Sequence, residues 1–165
     1  MGSSATHLLL SAYNDYEVVI ISRYLFFEKS SRFKEFLDAC ENFQKRNPKR
    51  RVISLAKLDF SMSFLKGRDQ KRLERQYIEL NTMFFEESLK KAGATFVTCG
   101  NYIVIKSEDG TNSFELFERF LNKGALILFP SDVFVTNISS SLILTPYCDF
   151  NECASACARI ERLIY

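Results

Sequence analysis

The apolar positions fall into short continuous runs and helical stripes that alternate along the chain. Val18-Val19-Ile20-Ile21 places four β-branched residues in a row. Such a run predicts a strand, within Glu17 to Phe27, buried on both faces as in a parallel sheet. Phe33, Phe36, Leu37, Cys40 and Phe43 then recur at helical spacing. Residues 32–44 therefore read as an amphipathic helix, with Ser30 or Ser31 as its cap. A second apolar run, Val52 to Leu55, ends at Lys57. The order strand, helix, strand predicts a βαβ unit. Ligand residues in such sheets collect at the carboxyl ends of the strands, which puts Tyr24 and Lys57 at one edge.

After Gly67 the pattern changes. Asp69 to Lys91 is the longest helical stretch, with Leu73, Tyr77, Leu80 and Phe84 on its apolar face and Lys71, Arg72, Glu74 and Arg75 exposed. Gly93 is placed to stop it. Thr95 to Thr98 and Tyr102 to Lys106 read as strands of a hairpin turning at Gly100-Asn101. Asn112 or Ser113 caps a helix that buries Phe114, Phe117 and Leu121 and ends at Lys123-Gly124. Ala125 to Phe129, stopped by Pro130, and Ser139 to Thr145 are two more strands. A last helix, Asn151 to Leu163, carries the stripe Phe150, Cys153, Cys157, Ile160 and Ile164. The second half is thus a compact α+β lobe, with Gly67 as the boundary.

Composition narrows the function. The chain has 165 residues, 47% apolar and 25% charged, as in a soluble globular protein. Sixteen phenylalanines predict a core dominated by aromatic packing. A net charge of +2 does not argue for nucleic acid or a membrane surface. Five positive charges lie between Lys45 and Arg51; a solvated loop is the ordinary reading and a phosphate site the alternative. The five cysteines have no framework spacing, which predicts reduced thiols in a cytoplasmic protein and no metal site. His7 is the single histidine, so a Ser-His or Cys-His hydrolase would depend on a frayed terminus. The chemistry left open is that of lysine, tyrosine, carboxylates or a borrowed cofactor.

Lys57 carries the sharpest hint. Ser54-Leu55-Ala56-Lys57 followed by Asp59-Phe60-Ser61-Met62-Ser63 resembles the cofactor-lysine segment of fold-type I pyridoxal-phosphate enzymes. The nearest pattern is that of the animal 1-aminocyclopropane-1-carboxylate synthase-like branch of the class I/II aminotransferases, Ser-x-x-Lys-Asp-Phe-Gly-Met-Ser-Gly-x-Arg. Tyr24 with Phe27-Glu28-Lys29-Ser30 resembles the strand after that family's Asp-Glu-x-Tyr motif. Phe117-Glu118-Arg119-Phe120-Leu121, the strand Ala125 to Phe129, and Ala156-Cys157-Ala158-Arg159-Ile160 resemble its C-terminal lobe. The resemblance implies an α/β, partial pyridoxal-phosphate-dependent transferase fold. Residues 16–67 would be a βαβ remnant of the cofactor-binding large domain and 68–165 the α+β small domain, after a mobile N-terminus over 1–15. It implies pyridoxal 5'-phosphate as cofactor and Lys57 as the Schiff-base lysine. Ser54 and Lys66 would contact the phosphate, and Tyr24 the cofactor's phenolic oxygen.

The segment departs from the pattern in ways with physical consequences. Leu58 is an extra residue in the turn that aims the lysine. Ser61 and Phe64 stand where glycines let the backbone approach a phosphate. Lys66 replaces an arginine and loses its two-pronged grip. Ile21 stands where an aspartate would hold the pyridinium proton, and no arginine occurs between Arg119 and Arg159 to clamp a substrate carboxylate. Family members are also much longer. The expectation is a truncated, catalytically inactive relative with cofactor binding weak or absent. The alternative is a dimerisation or scaffold module that pairs with itself or with a full-length paralogue.

Overall fold

A computed structural model describes residues 18–22, 25–28, 32–57, 70–134 and 138–163, the first two segments by backbone alone. In chain order the elements are strands β1 (Val18–Ser22) and β2 (Leu25–Glu28), helix α1 (Phe33–Arg46), strand β3 (Ile53–Ser54), helix α2 (Gln70–Lys91), strands β4 (Thr95–Cys99) and β5 (Tyr102–Lys106), helix α3 (Ser113–Gly124), strands β6 (Leu126–Ile127) and β7 (Phe129–Pro130), a 3-10 turn (Ser131–Val133), strand β8 (Ser141–Leu144) and helix α4 (Phe150–Leu163). The result is mixed α/β, with parallel and antiparallel pairing.

One pairing differs from the expected βαβ unit. β1 does not continue as one strand to Phe27. It pairs antiparallel with β2, Val18 opposite Glu28, with an irregularity between Ile20 and Ser22. β3 is parallel, but its partner is β6, with Ile53 opposite Leu126 and Ser54 opposite Ile127. A β-branched run specifies a strand without specifying its neighbour, and a hairpin closes a far shorter loop than a crossover does. The main sheet has the order β4-β5-β8-β7, all antiparallel. Pro130, which cannot donate to a ladder, lies in the edge strand β7.

The helix predicted over 32–44 is α1, and Phe33, Phe36, Leu37, Cys40 and Phe43 are all buried. They share one core with α3 and the strands. The Phe36 ring lies 5.1 Å from that of Phe117 and 5.5 Å from that of Phe129. The core is therefore continuous across the described residues on either side of 58–69. The α3 cap is Asn112, whose side-chain oxygen accepts the Glu115 N–H at 3.0 Å. At the other end Ala125, not Gly124, takes the left-handed conformation, with φ of 51°. Gly124 instead lies close to α4: a Cβ there would stand 2.7 Å from Leu163 Cδ1, and that side chain would have to shift.

α2 is rotated from expectation. Leu80 and Phe84, placed on the buried face by spacing, are exposed, and the helix buries Asn81, Phe85, Ser88 and Leu89 instead. Asn81 is the cause. Its Nδ2 donates to Pro146 O at 3.2 Å and Cys148 O at 2.7 Å, tying the helix to the segment after β8. Phe150 of the α4 stripe is likewise exposed, while Cys153, Cys157 and Ile160 are buried; Ile164 lies outside the described residues. Among the described residues no helix is long and apolar enough to cross a membrane.

Candidate functional site

Residues 53–57 are held from both sides. Ile53 N–H donates to Ala125 O at 3.0 Å and Leu55 N–H to Ile127 O at 2.7 Å. On the opposite side Thr145 N–H donates to Leu55 O at 2.8 Å. Lys57 N–H donates to Thr145 Oγ1 at 2.9 Å, and that hydroxyl donates to Leu55 O at 3.0 Å. Thr145 is completely buried. One hydroxyl thus fixes the turn that delivers Lys57.

Helix α4 spans the two ends of this strand. Near its start, Glu152 Oε1 lies 3.9 Å from Lys57 Nζ, the side chains 27% and 22% exposed. Near its end, the Arg159 guanidinium donates to Arg51 O at 2.9 Å. The helix therefore runs antiparallel to residues 51–57. Lys57 marks the carboxyl end of the strand, and the arginines gather at its amino end.

Of the residues singled out in the sequence, Ser54 and Lys57 are described; Tyr24 and Lys66 lie outside the described residues, as do Leu58, Ser61 and Phe64. Ser54 is buried, and its hydroxyl accepts the Ala56 N–H at 3.3 Å within its own turn. A Schiff-base lysine needs an amine directed at an aldehyde carbon, and the Lys57 amine faces the Glu152 carboxylate. Thr145 and Glu152, both in contact with Lys57, escaped the sequence reading. The signal for Thr145 was a hydroxyl continuing the apolar run Leu142-Ile143-Leu144, where a buried polar group needs partners.

At the amino end, two arginines cap helix α3. Arg50 donates to Asn122 O at 2.6 Å and to Lys123 O at 2.7 Å, and Arg159 donates to Gly124 O at 3.2 Å and Ala125 O at 3.3 Å. Cations at these unsatisfied carbonyls also complement the helix dipole. Burial, with Arg50, Arg51 and Arg162 nearby, lowers the Arg159 pKa below the usual guanidinium value.

A separate cluster of thiols lies between α4 and its neighbours. A hydrogen bond with Cys148, then burial, pushes the Cys153 thiol up to about 12. Cys157 is raised by a hydrogen bond with Cys153 and by burial, and Cys40 by burial. Thiols raised in this way stay protonated at neutral pH.

No protein-family model matches the chain, and no curated protein matches it in sequence. Solved structures do. The chain is similar to L,L-diaminopimelate aminotransferase from Chlamydomonas reinhardtii, at 12% identity and a TM-score of 0.51, over 57% of this chain and 23% of that one. It is similar to an aromatic aminotransferase from Pyrococcus horikoshii OT3, at 20% identity and a TM-score of 0.51, over 59% of this chain and 27% of that one. The match thus spans about a quarter of the length of each aminotransferase. The described residues build part of an aminotransferase fold.

Proposed function

We propose that this chain is an aminotransferase-like module of pyridoxal-phosphate ancestry, related to the 1-aminocyclopropane-1-carboxylate synthase-like branch, that acts as a pseudoenzyme. Residues 68–165 correspond to the small domain in this reading, and 16–67 to what is left of the large one. The observation that carries it is the setting of Lys57. Its amine lies 3.9 Å from the Glu152 carboxylate, and the neighbouring Ser54 is buried with its hydroxyl accepting the Ala56 N–H. Incubation with pyridoxal 5'-phosphate, reduction with borohydride and peptide mapping provide the test. No Schiff-base absorbance and no reduced adduct on Lys57 are expected. A stoichiometric adduct on Lys57 that vanishes in Lys57→Ala overturns the reading.

A second reading, pairing with another copy or with a longer paralogue, is favoured by a specific surface. Leu80, Phe84 and Phe150 are 43%, 50% and 41% exposed. They line a groove of about 570 Å³ between α2 and α4. Contiguous exposed apolar side chains of this size mark partner surfaces. Sedimentation velocity of the wild type and of Phe84→Glu tests it. A wild-type dimer that dissociates in the variant supports pairing, and a monomer at high concentration opposes self-association.

A further inference from the structure

The strongest unassigned feature is the basic end of the molecule. Arg50, Arg51, Lys123, Arg159 and Arg162 line one cavity of about 450 Å³. They come from three places: the loop after α1, the last turn of α3 and the last turns of α4. Among the described residues no carboxylate lines the cavity. Among the described residues none of the five makes an ion pair.

The five cations do not share one structural job. Arg50 and Arg159 cap the carbonyls of α3, which explains their presence. Arg51 and Arg162 have exposed side chains, and among the described residues no hydrogen bond from either side chain accounts for its position. They add positive charge beside guanidinium groups already close together, and like charges at short range raise the energy of the folded state. Charges that repel one another around a concave surface, with no described carboxylate opposite, are the arrangement an anion would complete. Capping consumes few of the arginines' donors, since each guanidinium has five N–H groups.

We propose that this cavity binds a small molecule carrying two or more adjacent phosphate groups. Its volume falls within the range of ligand pockets, roughly 300–1,000 Å³, and exceeds the needs of one phosphate. A di- or triphosphate chain brings enough negative charge to meet several cations at once. Arginine forks suit phosphate oxygens in geometry as well as charge. The concave shape, in a chain with a net charge of only +2, favours a compact ligand over an extended nucleic acid. The site lies at the opposite end of the strand from Lys57, so it is independent of any cofactor at that lysine.

Calorimetric titration of the full chain with inorganic tripolyphosphate, with sulfate for comparison, tests the proposal. Saturable one-to-one binding of tripolyphosphate is expected, at least about tenfold tighter than sulfate. The double variant Arg51→Gln/Arg162→Gln should weaken it by about tenfold or more, the loss of charge-assisted hydrogen bonds. It should also leave the melting temperature unchanged or higher, because repulsion is removed and no known hydrogen bond is broken. Lys90→Gln, on the exposed face of α2, should bind as the wild type does. Absence of saturable binding, equal affinity for sulfate, or full affinity in the double variant overturns the proposal. So does a single-stranded oligonucleotide that binds more tightly than tripolyphosphate.

Discussion

The backbone N–H of Lys57 donates to the hydroxyl of Thr145 at 2.9 Å, and the same hydroxyl donates to Leu55 O at 3.0 Å. The strand end is therefore anchored through a side chain distant in sequence, while among the described residues the lysine's own amine makes a long ion pair alone. Thr145→Val keeps the shape and removes both bonds. It is expected to cost about 1–3 kcal/mol, and Thr145→Ser to recover most of that. Lys57→Met should cost under about 1 kcal/mol, the worth of a partly exposed ion pair. Urea denaturation of the three variants checks the order.

Phe36 binds α1 to the rest of the core through Phe117 and Phe129. Phe36→Ala is expected to lose about 3–5 kcal/mol, the cost of a large aromatic cavity. In a double-mutant cycle Phe36 and Phe117 should couple by at least about 0.5 kcal/mol. Additive losses would mean that residues 33–57 and the following lobe do not share one core in solution.

The raised thiols set an alkaline limit. Cys153 is held protonated in the folded state to about pH 12, against an ordinary value of 9.0. The folded state thus binds a proton that the unfolded chain releases earlier. The stability tied to this thiol is present in full below about pH 9 and is lost as the pH rises from there toward 12. Cys153→Ser should flatten that alkaline fall in a denaturation series. Iodoacetamide at pH 8 should leave Cys40, Cys153 and Cys157 unmodified, as intact-protein mass spectrometry will report.

Asn112 caps α3 through its side-chain oxygen. Asn112→Ala should destabilise by about 1 kcal/mol, and Asn112→Asp should be tolerated because a carboxylate suits the helix start. Thermal melts of the two variants separate capping from a general surface effect.

Much of the local structure was legible. The spacing of Phe33, Phe36, Leu37, Cys40 and Phe43 gave α1 and its buried face, and Gly100-Asn101 gave the hairpin, with Cys99 opposite Tyr102. Partners were less legible, because the residues of β3 suit either a strand of their own lobe or β6. The face of α2 was misread because Asn81, polar by type, is buried by the carbonyls it serves. At the site, the lysine segment carried the resemblance, but the neighbours that decide its chemistry, Thr145 and Glu152, come from remote positions. The basic loop was visible as Lys45 to Arg51, whereas its convergence with Lys123, Arg159 and Arg162 needed three-dimensional placement.

The pairing of β3 with β6 has a consequence for synthesis. On the ribosome, α1 and β3 emerge well before Phe117, Leu126 and Phe129, the residues that cover them. For that interval the helix's five core side chains lack these later partners. A nascent chain with this order of events is a natural client for chaperones. Its productive folding should begin only when α3 and β6 have cleared the exit tunnel, a delay that arrested chains of increasing length would display as a late onset of protease resistance.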